Sequence, residues 1–347
     1  MRVSKLIPID KFIDKALYDN KKGYYFTKNP FGKNGDFVTS PVISPLFSEM
    51  IAIWIVSFWD DLGCPKKFNI IELGPGNGEQ CKIMIKTFKK FPNFYKYLNI
   101  FLYEKSSVLE KVQRNKIKEQ NVTWIKNFNK INAGPALFFG NEFFDAIPIK
   151  QFKKIKKNVY EKYLNFDNRS SPKEIFRKVS KKTISKLKKL NLLKKNGIIE
   201  YPAQGLRELE IITRKIKSLN GGLLLIDYGY LKQLNISTLQ SVKLHKKNKI
   251  FNNIGKADIT SLVNFNLLKD YFKKRNLTVN KIVSQSFFLK KMGILERAEI
   301  LSKKMSFKEK SDLYFRLERL LSHNYMGNLF KVIFTYKKKK KFLLGFI

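Results

Sequence analysis

The chain has 347 residues, 44% of them hydrophobic and 14% aromatic, enough to bury one large core or two modest ones and too apolar for wholesale disorder. Two cysteines (Cys64, Cys81) and two well-separated histidines (His245, His323) exclude a disulfide framework, a four-cysteine zinc site and a histidine-built metal centre. The formal charge is +41, with 69 Lys plus Arg against 28 Asp plus Glu. Only ten of the basic residues are Arg, whereas a surface built to grip phosphate favours the bidentate guanidinium. Lysine spread along the whole chain reads as a composition bias, and no specific nucleic-acid partner is expected. The longest apolar stretch, Ile51 to Phe58, is about half a membrane span. The first residues hold no apolar signal core, and Asp10 and Asp14 come too early for a transit peptide, so a cytoplasmic protein is expected.

The apolar positions Ile9, Phe12, Ile13, Ala16 and Leu17 predict a helix over 5–20. From Gly23 to Pro41 the chain is too rich in Gly, Pro and Asn for regular structure and reads as a functional loop or a connector. Ser44-Pro45 then caps a helical run from Leu46 to Trp59. An alternating rhythm starts at Phe68: strands at 68–73, 99–103, 122–125 and 136–139, with helices at 79–88 and 107–119 between them. It predicts a mainly parallel sheet with helices on both faces. Residues 153–200 interrupt it with a Lys-rich polar insertion around one strand-like piece, Val159 to Phe166. A helix at 207–219, a strand at 222–227, helices near 266–275 and 307–321 and a strand at 329–335 complete the pattern, and Lys337 to Lys341 reads as a frayed, solvated end. The expected divisions are 1–66 (N-terminal helices and covering loop), 67–152 (α/β core), 153–205 (insertion), 206–336 (rest of the core) and 337–347 (basic tail).

Glycines 74, 76 and 78 lie between a strand and a helix, the setting in which a glycine loop carries information. A dinucleotide fingerprint would place its third glycine at position 79, which is Glu79, a poor neighbour for a pyrophosphate. A Walker loop would need Gly-Lys-Ser/Thr. Alternate glycines with Glu72 just before them fit a cofactor lacking a pyrophosphate. S-adenosylmethionine, with its cationic sulfonium and amino groups, suits a carboxylate there. A plain strand-to-helix turn is the simpler alternative. Glu104 ends the next strand, where a carboxylate can accept both hydroxyls of a ribose.

The densest segment is Asn141-Glu142-Phe143-Phe144-Asp145-Ala146-Ile147-Pro148, at the carboxyl edge of the predicted sheet. If buried, its carboxylates need partners that the local sequence does not supply, and a guanidinium would provide one. The competing reading is a helix start capped by Asn141 or Asp145. Site candidates are therefore Glu142 and Asp145 for catalysis, and Glu72, Gly74, Gly76, Gly78, Glu104 and Asn141 for the cofactor. Gly35, Asp36, Thr39 and Ser40 are candidates for a loop closing over the substrate, and no metal is expected.

Glu72–Gly78, Gly35–Pro41 and Asn141–Pro148 together resemble three signature blocks of the MidA family. Ile226-Asp227-Tyr228-Gly229, Gly255–Thr260 with Val263-Asn264-Phe265, and Met326–Val332 resemble later ones, so the likeness runs from about residue 8 to 335. The resemblance implies a class I (Rossmann-like) methyltransferase fold and S-adenosylmethionine as cofactor. It also implies a protein substrate, through symmetric dimethylation of an arginine on a respiratory complex I subunit. Two departures fall in the substrate-associated region: Tyr160 and Lys162 stand where the family has Trp and Arg, and no Gly-His-Thr block is recognisable near His245. An RNA methyltransferase and a non-catalytic assembly chaperone remain as alternatives.

Overall fold

The computed structural model describes residues 5–27, 30, 39–166, 172–337 and 341–347. Gly35 and Asp36 lie outside the described residues. After the first strand, β1 (Lys5–Pro8), come β2 (Phe68–Leu73), β3 (Leu98–Tyr103), β4 (Val122–Ile125) and β5 (Ala136–Asn141). They are followed by β6 (Lys150–Ile155), β7 (Asn158–Phe166), β8 (Lys173–Lys178), β9 (Gly197–Tyr201) and β10 (Gly222–Tyr230).

The central sheet has the order C-terminal strand (Phe330–Tyr336), β10, β5, β2, β3, β4, with the short strand Thr278–Val279 on the outer edge of the C-terminal strand. Its last five strands pair in parallel, while the C-terminal strand runs antiparallel beside β10. Every residue of β2 is buried, as expected of a central strand covered on both faces. One cover is the helix Pro45–Asp61, whose Trp54 and Phe58 pack on Phe334. The other includes the helices Ala203–Leu219 and Phe265–Lys273. The chain order crosses over between β2 and β5, so the carboxyl ends of both open onto one crevice.

The N-terminal helix starts later than its apolar spacing predicts, at Ile9. Pro8 fixes an extended backbone at the helix cap, and residues 5–8 instead pair with β7. Short helical turns also form at Tyr24–Thr27 and Ser40–Ile43, within the stretch expected to lack regular structure. The larger difference is the insertion. It holds four strands rather than one, and with β1 they form a separate antiparallel sheet ordered β1-β7-β6-β9, with β8 on the other side of β7. A helix, Lys181–Lys189, crosses between β8 and β9. At the other end, Phe342 and Phe346 are buried against Trp54, Phe288 and Phe334. Residues 342–347 therefore pack on the core where a basic tail was expected.

Candidate functional site

The glycine loop makes the sharp exit from β2 possible. Gly74, Gly76 and Gly78 all adopt positive φ (64°, 56° and 76°), a region that costs a side chain strain. A Cβ at Gly74 would also come within 3.0 Å of the Phe143 ring. The helix Glu79–Phe88 begins directly after the loop, and Glu79 itself pairs with Lys116 at 2.7 Å.

Two recesses flank this loop. The larger, about 720 Å³, is lined by Gly74, Gly76, Glu104 and Glu142 on the sheet side and roofed by Tyr18 and Tyr25. The two tyrosines stack on each other at 5.5 Å, and Tyr18 donates to the Ala146 carbonyl at 3.0 Å. The smaller recess, about 390 Å³, is lined by Glu72, Gly74, Gly76, Asn77, Gln80 and Asn141, with Thr39 and Pro41 beyond them. Gly74, Gly76 and Glu142 belong to both, so the recesses meet beneath the loop.

Glu104 is held rigidly at the end of β3. It accepts from the Ser106 amide at 2.8 Å and from Gln113 Nε2 at 3.0 Å, and Gln113 also donates to the Gly76 carbonyl at 2.8 Å. One buried glutamine thus ties the carboxylate to the glycine loop. Burial raises the Glu104 carboxyl to about 7. Burial likewise lifts Glu72 to about 8, against a hydrogen bond with the Cys81 thiol that lowers it.

Beyond β5 no helix forms: residues 142–148 run as bends and turns, so neither Asn141 nor Asp145 caps anything. Glu142 itself has φ of +52°, a left-handed conformation costing an ordinary residue about 1–2 kcal/mol. Its amide donates to the Ile226 carbonyl at 2.9 Å, and its Oε1 accepts from the Ser40 amide at 3.2 Å. Burial, reinforced by the neighbouring Asp145 charge, pushes the Glu142 carboxyl to about 8. The partners that the local sequence does not supply come in part from distant residues. The Tyr228 hydroxyl donates to Asp145 Oδ2, and that contact partly offsets the burial that raises Asp145 to about 6.

Asp227, on β10 just past its last pairing with β5, holds the turn together. Its Oδ2 accepts from the amides of Phe144 (2.8 Å) and Asp145 (3.2 Å), and its Oδ1 from the Tyr228 amide. Leaving such buried donors without a partner costs about 1–3 kcal/mol each. In the sequence Asp227 and Tyr228 were only part of a family block; their link to Asp145 is a contact across 82 residues that no local spacing reveals. Gln80 and Gln113 were missed for the same reason. Three buried atoms without a hydrogen-bond partner belong to residues lining the smaller recess, Glu72 Oε2, Gln80 Nε2 and Asn141 Oδ1, and a fourth, Asp145 Oδ1, lies in the turn after β5. Such orphans mark positions where a ligand completes the hydrogen bonding.

A family model for S-adenosyl-L-methionine-dependent methyltransferases matches residues 50–283. The chain belongs to that family. Its cofactor is S-adenosylmethionine, and the acceptors and amide donors around the glycine loop have the chemistry to hold it. Among curated proteins the chain is similar to "Protein arginine methyltransferase NDUFAF7, mitochondrial" of Xenopus laevis, 25% identical over 94% of this chain and 80% of the relative. The human protein of that name is 25% identical over 85% and 72%. Among solved structures, a Burkholderia thailandensis protein crystallised with S-adenosyl-homocysteine superposes with a TM-score of 0.82 at 22% identity, over 98% of this chain and 90% of that one. That likeness gives the fold: a class I methyltransferase sheet of the Rossmann-like type. Among the described residues no helix is long and apolar enough to cross a membrane.

Proposed function

We propose that this methyltransferase transfers its methyl group to an arginine nitrogen of a protein, with a respiratory complex I subunit as the acceptor the family resemblance suggests. The observation that carries the reading is the pair Glu142 and Asp145, buried beside the glycine loop, with Asp145 Oδ1 lacking a partner. Burial disfavours the ionised form of both carboxyls, and a planar guanidinium could meet both and stabilise their charges.

Gly74, Gly76 and Gly78 would bring backbone close to the methionine portion of the cofactor, with Glu72 and Asn141 offering acceptors to its amino group. Glu104 would take the ribose hydroxyls. When bound, the cofactor supplies a methyl carbon already activated by the sulfonium. What remains for the protein is alignment and charge. Glu142 and Asp145 would draw the guanidinium charge to one side and leave the attacking nitrogen's electrons available. Tyr228 and Asp227 would fix Asp145, and Ser40 would fix Glu142. Thr39 and Ser40 belong to the segment proposed to close over the substrate and exclude water.

The test is incubation with methyl-labelled cofactor and a cell lysate, followed by hydrolysis and mass spectrometry of the labelled species. The expected product is a methylated arginine in protein. Label in RNA, or cofactor binding with no transfer to any macromolecule, would overturn the reading.

A further inference from the structure

We infer that the acceptor arginine is carried on an acidic protein surface: its guanidinium enters the slot at Glu142 and Asp145 while neighbouring Asp and Glu side chains rest on a lysine collar built by the inserted sheet. The inference rests on the protein-arginine reading above and narrows its substrate class.

The charge is not uniform along the chain. Residues 153–200 contain 16 Lys or Arg against 4 Asp or Glu, whereas the other 299 residues contain 53 against 24. The insertion thus carries about two and a half times the net charge density of the rest of the chain, more than an even composition bias gives. The described carboxylates of the insertion are already engaged: Glu161 with Lys150, Glu174 with Lys162, and Glu200 with Gln151 and Thr238. Lys153, Lys154, Lys156, Lys157, Lys173 and Lys178 pair with no carboxylate among the described residues. All but Lys154 are exposed.

The fold puts this sheet at the rim of the site. It leaves the cleft at Lys150, two residues after the cleft-lining Pro148, and returns at Tyr201, three before the cleft-lining Gln204. Lys153 and Lys154 stand three and four residues along β6 from Lys150, roughly 10–13 Å of strand. That is within reach of side chains a few places from a docked arginine. The N-terminal helix packs on the same sheet, and it carries Lys11 to an outer mouth shared with Arg207, Asp14 and Glu208. Glu208 there is paired with Lys105.

The result is a carboxyl slot, able to ionise around a cation, inside a positive collar. A nucleic acid complements the collar but brings phosphates toward Glu142 and Asp145. A cation in an acidic frame complements both.

The experiment compares arginine peptides sharing one core, flanked by Asp and Glu, by Gly and Ser, or by Lys. At low salt the acid-flanked peptide should show a KM about tenfold lower than the neutral one at similar kcat. The advantage should shrink between about 0.05 and 0.3 M salt as screening shortens. A variant with Lys153→Gln, Lys154→Gln, Lys156→Gln and Lys157→Gln should lose the preference while cofactor affinity and turnover of the neutral peptide hold. Equal KM values, a preference for Lys flanks, or a single-stranded RNA that displaces the acid-flanked peptide through these lysines would overturn the inference. No methylation of any arginine peptide would instead remove the protein-arginine reading, and this inference with it.

Discussion

The central sheet and the inserted sheet respond differently to the same sequence. In the central sheet, β2, β3 and β5 are short apolar runs ended by glycine or a carboxylate, and parallel pairing with helical cover makes those runs self-evident. In the inserted sheet, β6 and β8 are half or more charged and part-exposed, and β7 is completed by β1, where Lys5 lies opposite Phe166. Antiparallel strands with one wet face and long-range partners carry a weak local signal. The first sheet holds the chemistry of the cofactor. The second shapes what approaches it. Substitutions should separate the two.

The largest effect is expected at the loop itself. Gly76→Val forces a β-branched residue into positive φ beside the ligand path and should abolish cofactor binding, whereas the inserted-sheet lysine variant should bind normally. Isothermal calorimetry on both proteins reads this directly; wild-type affinity in Gly76→Val would break the assignment of the loop.

Next in size are the carboxylates. Glu142→Gln and Asp145→Asn keep shape and remove charge, so methylation at saturating cofactor should fall by about 10²-fold or more with cofactor affinity retained. Tyr228→Phe, which removes only the hydroxyl on Asp145, should cost less than either. If Glu142→Gln loses the cofactor and keeps turnover, the roles are reversed.

These two tests also show how far the sequence could be read. The strand, the glycine spacing and Glu104 were legible because they follow one another along the chain. The turn after β5 was legible as a site but not as a structure. Ser40 donates to Glu142, Tyr228 donates to Asp145 Oδ2 and Asp227 accepts from the turn's amides, all residues far away in the chain that only the folded sheet brings to it. The inserted lysines were legible as charge and illegible as a sheet, because β6 and β8, which pair with β7, are rich in charged residues and lack the apolar runs that mark a strand.

A smaller loss is expected at Glu104. Removing it as Glu104→Ala takes away an acceptor for the ribose and leaves Gln113 Nε2 with only the Gly76 carbonyl to hold it. Cofactor affinity should drop by about 1.5–3 kcal/mol, the range for hydrogen bonds to a charged group. Gln113→Leu should reproduce part of that loss without touching the ligand. An unchanged affinity in Glu104→Ala would move the ribose elsewhere in the cleft.

The smallest expected effect is a dependence on pH. Burial raises Glu72 from 4.5 to about 8 and Glu104 to about 7. In the ligand-free protein both carboxyls therefore hold their protons at pH values where the unfolded chain has released them. Between about 4.5 and 8 the folded state binds more protons than the unfolded one, so these groups lower stability as pH rises through that window. A cationic cofactor beside Glu72 favours the ionised form and draws its pKa down, so binding should release protons near neutrality. Cofactor affinity should then rise by several-fold from about pH 6 to 8 and level off above. The Tm gain on binding should grow over the same interval. Calorimetry in two buffers of different ionisation enthalpy measures the released protons, and Glu72→Gln should abolish the part that belongs to Glu72. A binding enthalpy independent of buffer, with a flat affinity profile, would mean that Glu72 does not face the cofactor's charge. Its orphaned oxygen would then belong to the packing of β2 and not to the site.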